Sequence, residues 1–204
     1  MKIFDLNLLM LITFLVILMI DQMQCEQIRR YECSIENNRF SYGYLLGSKD
    51  TFANSNVSIM DQEHNKHRVY VSPQVTVDEL DYIKWIFIQT KNSYDTYYLK
   101  NKQTGEYLCS EDRVQSKSQK RATYLKYVSS DLRKIIKKEL GNDCLWKFSR
   151  VESETRSIAY LIFNVLYNET LFGGWSKHGR LGRRYVYSWN KTPNLDEFKW
   201  AVDC

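Results

Sequence analysis

Three stretches of this chain close on a tryptophan set among apolar residues, and their spacing constrains the fold more than any other feature. They are YIKWIFI at residues 82–88, CLWKFSR at 144–150 and FKWAVDC at 198–204. The segments that lead into them also match at a period of about sixty residues, the kind of self-similarity that signals a repeat architecture. In YYLKNKQTGEYLCSED, residues 97–112, Leu99, Asn101 and Leu108 stand at the same mutual spacings as Ile162, Asn164 and Leu171 in YLIFNVLYNETLFGG, residues 160–174. Ile35, Asn37 and Leu45 in CSIENNRFSYGYLLGS, residues 33–48, match with one extra residue in the turn. Between these openings and the closing Trp85, Trp146 and Trp200 lie RVYVS, ATYLKYV and RRYVYSW, all alternating as half-buried strands do.

Each cassette therefore reads as strand, polar turn, strand, loop, third strand, loop and closing strand. Taken three times, this predicts twelve short antiparallel strands in an all-β fold, a β-trefoil in which the repeated Leu and Trp positions fill the barrel. One cassette cannot bury its apolar face alone, whereas three close on one another and leave no open sheet edge. One segment departs from the pattern. In residues 129–141, Leu132, Ile135, Ile136 and Leu140 share a helical face, Ser or Asp opens the run and Gly141 closes it, which predicts a short helical insert. Its Arg133, Lys134, Lys137 and Lys138 read as the solvated face of that helix.

The first residues place the chain in the secretory pathway. Lys2 precedes a 13-residue run from Leu8 to Ile20 broken only by Thr13, then Asp21, Gln22 and Gln24, which is the order of a signal peptide. The run is short of the roughly 20 residues that span a bilayer. A cut after Gln24 or Cys25 fits, and cysteine parity favours Cys25, which makes residues 1–25 the leader and 26–204 a single domain with no membrane span and leaves Cys33, Cys109, Cys144 and Cys204. An even set in an oxidising compartment predicts two disulfides, with three connectivities open. In a trefoil the first and last strands are neighbours, so Cys33–Cys204 staples the barrel and Cys109–Cys144 is the remainder. Removing Lys2, Asp5 and Asp21 from 29 cationic and 24 anionic residues leaves a net charge of +6, which is only mildly basic. Sequons at Asn56, Asn168 and Asn190 predict surface glycans.

The cassettes resemble the β-trefoil superfamily over nearly the whole mature chain, and their lengths and turns are similar to secreted trefoils of arthropod hemolymph and saliva, including the silkworm low-molecular-weight hemolymph lipoproteins. A weaker resemblance is to fibroblast growth factors. KNKQTGEYLCSED is similar to one of their strand pairs and GRRYVYSWNK, residues 182–191, to their "GRRYfVALNK" stretch. Here that stretch falls one strand later in its cassette, and neither the insert nor FKWAVDC has a counterpart. Ricin-type lectins carry Gln-x-Trp at the end of each repeat, and this chain does not. The soybean-type protease inhibitors share two disulfides and a similar length, but no reactive loop stands out.

For catalysis the chain offers no Gly-x-Ser-x-Gly, no phosphate loop and no acidic pair at strand ends. His64, His67 and His178 read as loop residues, and His64 with His67 lacks a third metal ligand. The expectation is a non-enzymatic monomer without catalytic residues, cofactor, metal or nucleic-acid partner. Its densest charge is WSKHGRLGRR, residues 175–184, where Lys177, His178, Arg180, Arg183 and Arg184 would suit an anionic polysaccharide such as a glycosaminoglycan. An extracellular protein is the other class of partner, as a growth-factor-like receptor ligand or a protease inhibitor would require. Trp85, Trp146 and Trp200 read as core, which leaves Trp175 and Trp189 as the expected exposed aromatics.

Overall fold

The computed structural model describes residues 30–37, 43–51, 67–90, 93–128, 140–152, 158–178, 182–191 and 196–204. The leader, Asn56, His64, Arg180 and residues 129–139 of the expected helical insert lie outside them.

The described chain is all-β. Its strands are β1 (Arg30–Asn37), β2 (Gly43–Thr51), β3 (His67–Ser72), β4 (Lys84–Gln89), β5 (Thr96–Asn101) and β6 (Tyr107–Val114). They continue as β7 (Lys120–Lys126), β8 (Leu145–Val151), β9 (Ala159–Asn164), β10 (Glu169–His178), β11 (Arg183–Trp189) and β12 (Trp200–Asp203). Three short 3-10 helices, Val77–Glu79, Asn142–Cys144 and Asp196–Phe198, are the described helical elements.

The pairings, all antiparallel, close on themselves twice. β1 pairs with β4, β4 with β5, β5 with β8, β8 with β9, β9 with β12 and β12 with β1, so this ring has no free edge. The hairpins β2–β3, β6–β7 and β10–β11 form a cap in which β3, β7 and β11 pair with one another.

Period-two alternation sends one set of side chains inward from every strand of the ring. Ile35, Leu45, Trp85, Leu99, Leu108, Trp146, Ile162, Leu171 and Trp200 are all essentially inaccessible and belong to one apolar cluster. A buried indole N–H needs an acceptor, and the three closing tryptophans meet the need alike. Trp85 donates to the carbonyl of Leu45 at 2.9 Å, Trp146 to that of Leu108 at 2.8 Å and Trp200 to that of Leu171 at 3.0 Å. Two of the matched asparagines, Asn101 and Asn164, are also structural. The Asn101 Nδ2 donates to the Tyr82 carbonyl at 2.7 Å while its Oδ1 accepts from the amides of Gln103 and Thr104. Asn164 donates to the Asp143 carbonyl at 2.6 Å and accepts from Leu166 and Tyr167.

Disulfides join Cys33 to Cys204 and Cys109 to Cys144. The first ties β1 to the end of the chain beyond β12. The second ties β6 to the 3-10 turn before β8, both sulfurs lying inside a cluster with Tyr98, Tyr107 and Tyr124.

Candidate functional site

Where β3, β7 and β11 meet, the cap encloses a cleft of about 520 Å³. Val69, Ala122 and Val186 make it apolar, and Tyr185 and Tyr187 line it beside them. Arg113 and Lys117, exposed on the β6–β7 hairpin, add two cations to its lining, with Glu111 the acid among the lining residues. Arg68 is buried at the same place, its guanidinium 4.7 Å from the Tyr185 ring centroid and bonded to the Tyr185 hydroxyl. The cleft thus offers an apolar interior and a mostly cationic border.

The 175–184 segment adjoins it, but not as the expected open loop. β10 runs to His178 and β11 begins at Arg183, with Lys177 opposite Arg184 and His178 opposite Arg183. The guanidinium of Arg183 is paired with Glu79 and only 16% exposed. Arg184 donates to the carbonyls of Gly174 and Trp175. Two of the five expected ligand residues therefore make internal contacts. Alternation was hidden in the sequence because Gly179, Gly182 and the surrounding charges resemble a turn.

His67 is likewise a strand residue, the first of β3, and its Nδ1 lies 2.7 Å from the buried carboxylate of Glu106. Among the described residues the one close grouping of metal-ligand types is Cys109, Asp143 and Cys144. Both of those sulfurs are spent in the disulfide, so the grouping is not a metal site. Asn168 is exposed at φ 52° in the turn after β9, a left-handed position that asparagine tolerates, and Asn190 is exposed after β11.

Beside the cleft, Trp175 is 46% exposed, as expected, but Trp189 is 7% exposed and thus buried. Trp189 packs with Phe172 and Phe198, a cluster at the β10–β11 hairpin apart from the barrel core. The Trp175 indole N–H donates to the buried Glu197 at 2.8 Å, and its ring meets Phe172 and Trp189 edge to face. The ammonium of Lys120, the first residue of β7, stands 4.3 Å from the Trp189 centroid, 4.4 Å from Trp175, 4.6 Å from Phe172 and 5.6 Å from Tyr187. Burial first, and the charge of Lys191 second, hold this amine below the usual lysine pKa.

No family model matches the sequence, and no curated protein matches it. Solved structures do. A protein O-mannosyltransferase complex of S. cerevisiae, Pmt1-Pmt2 bound to the sugar donor, aligns with TM-score 0.63 at 11% identity, covering 87% of this chain and 25% of that one. This chain therefore spans a quarter of that neighbour. A salivary protein of Culex quiquefasciatus from the cysteine- and tryptophan-rich family aligns with TM-score 0.52 at 16% identity over 87% of this chain and 95% of its own. The designed threefold-symmetric protein ThreeFoil aligns with TM-score 0.54 at 14% identity over 85% and 98%. At these identities the likeness concerns the fold alone, and the neighbours include β-trefoil proteins.

Proposed function

We propose that this trefoil-like chain is a secreted, non-enzymatic binding protein that recognises an extracellular macromolecule across its hairpin cap, with an anionic polysaccharide as the ligand class. The observation that carries the reading is the cap cleft, where Arg113 and Lys117 border an apolar hollow of about 520 Å³. Such a border suits a polymer that presents acid groups along an amphipathic backbone. Lys177 and His178 lie on the neighbouring hairpin, opposite Arg184 and Arg183 in its register. The salivary neighbour and the two disulfides are compatible with secretion. The twelve strands are read as three four-stranded units, a reading supported by the repeated tryptophan-to-leucine-carbonyl bond.

Heparin chromatography tests the ligand class. The variant carrying Arg113→Ala and Lys117→Ala should elute at clearly lower salt than the wild type, because two exposed charges that meet the polymer are lost. Arg183→Ala, whose guanidinium is committed to Glu79, should lower the melting temperature with a much smaller change in elution. If the double variant elutes where the wild type does, the cap is not the recognition face.

A further inference from the structure

The cap holds a second feature that an anionic ligand leaves unused. Phe172 and Tyr187 are cross-strand partners, as are Trp189 and Lys120. Tyr187 and Trp189 are two residues apart, so β-alternation puts all four on one face of the sheet. A bulge between Gly173 and Lys177 re-aims β10 so that Trp175 completes the group. Gly174 makes this possible, since a Cβ there would sit 2.8 Å from the Tyr185 carbonyl oxygen. The result is four rings around one ammonium, braced by edge-to-face contacts between Phe172, Trp175 and Trp189 and by Phe198 behind them. An aromatic enclosure of this kind recognises ammonium groups through the negative faces of its rings. Glu197, fully buried, accepts the Trp175 N–H beside them and fixes that ring in place.

Three observations set this apart from ordinary packing. The enclosure borders a pocket of about 170 Å³ lined by Gln115, Ser118, Trp175 and Tyr187, the size of a small ligand. Lys191 places a second cation 4.5 Å from the Trp189 centroid, so the rings draw two like charges together. The turn that delivers Lys120 holds Gln119 at φ 54°, an unfavourable value for a residue other than glycine or asparagine.

We propose that this ring enclosure is a binding site for a small organic ammonium ion, with Lys120 as its tethered occupant. A free cation competes with Lys120 at the effective concentration of a side chain fixed to the same scaffold. A quaternary ammonium has the advantage of giving up no N–H hydrogen bonds to water when it enters.

Choline chloride titrated against the protein, at ionic strength matched with sodium chloride and followed by tryptophan fluorescence, tests the site. The Lys120→Ala variant should bind choline at least tenfold tighter than the wild type. It should also prefer choline over the neutral isostere 3,3-dimethylbutan-1-ol by a similar factor. Equal choline affinity in wild type and variant, or equal affinity for the neutral alcohol, overturns the proposal. A measurement on the wild type stands independently of the variant's folding. The Lys120 ε-methylene resonance, shifted upfield by the surrounding rings, should move toward its ordinary position as choline is raised toward molar concentration, and a resonance that stays in place overturns the proposal as well.

Discussion

Asn101 and Asn164 hold equivalent positions at the ends of β5 and β9, and each closes the following turn by accepting two amides while donating to a carbonyl across the chain. Both are fully buried, so their geometry admits little else. Gly47 packs against the Asn101 amide so closely that a Cβ there would lie 2.6 Å from Nδ2. Replacing Asn101 separates its two roles. Asn101→Ala loses all three bonds, but the turn residues Gln103 and Thr104 are exposed and half-buried and the Tyr82 carbonyl keeps the Gly47 amide, so a loss of about 2 kcal/mol is expected. Asn101→Asp keeps the acceptors yet sets a buried carboxylate against the Tyr82 carbonyl, and at pH 7 it should cost more, roughly 3 kcal/mol or above. The native-state pKa of that carboxyl would lie above its unfolded value of about 3.9, so protonation favours the fold and the Asp variant regains stability as pH falls toward 4. The Ala variant has no such recovery. Urea titrations of both at neutral and acidic pH check the difference, and parallel pH profiles would sink this account of the side chain.

The two disulfides sit on different kinds of element and should respond differently to reductant. Cys204 is exposed at the chain terminus beyond β12, whereas Cys109 and Cys144 are both inaccessible within an aromatic cluster. Thiolate attack needs access, so mild reduction with alkylation should label Cys33 and Cys204 first and Cys109 and Cys144 only on unfolding. Peptide mapping over a reductant series reads this order directly. With its cysteines 35 positions apart in sequence, the inner bridge contributes about 4 kcal/mol in the chain-entropy model. The strands these bridges join were legible in the sequence because inward positions such as Leu99, Leu108 and Trp146 recur at fixed spacings. The cap was less so. Trp189 is buried by Phe172 and Phe198, contacts that no repeat position encodes, and the strand character of His178 and Arg183 was masked by adjacent glycines and charges. The ring enclosure around Lys120 depends on β7 pairing with β11, a long-range register that local alternation does not carry.

At the scale of the whole molecule, the aromatic content that fills so small a fold also sets its alkaline limit. Tyr98, Tyr107, Tyr124 and Tyr187 are all raised above the ordinary phenol value, in each case chiefly by burial. Asp143 adds to the effect at Tyr98 and Tyr124. Below pH 10 these phenols are neutral in both folded and unfolded chains, so they give stability no pH dependence there. Above it the unfolded chain ionises them more readily than the folded chain does, so the unfolded state binds fewer protons and stability falls as pH rises. Each phenol ionised in the unfolded chain and neutral in the folded one contributes a slope of about 1.4 kcal/mol per pH unit, so four together contribute at most roughly 5. Against a domain stability of about 5–15 kcal/mol, a slope of that order makes unfolding at alkaline pH the expected outcome. Tyrosinate absorbance and far-ultraviolet circular dichroism should therefore change together in one cooperative step. Four phenols that titrate singly near pH 10 while the β-signal persists would mean that the interior admits their charge. The apolar packing around Tyr107 and Tyr124 would then not be what keeps those hydroxyls protonated.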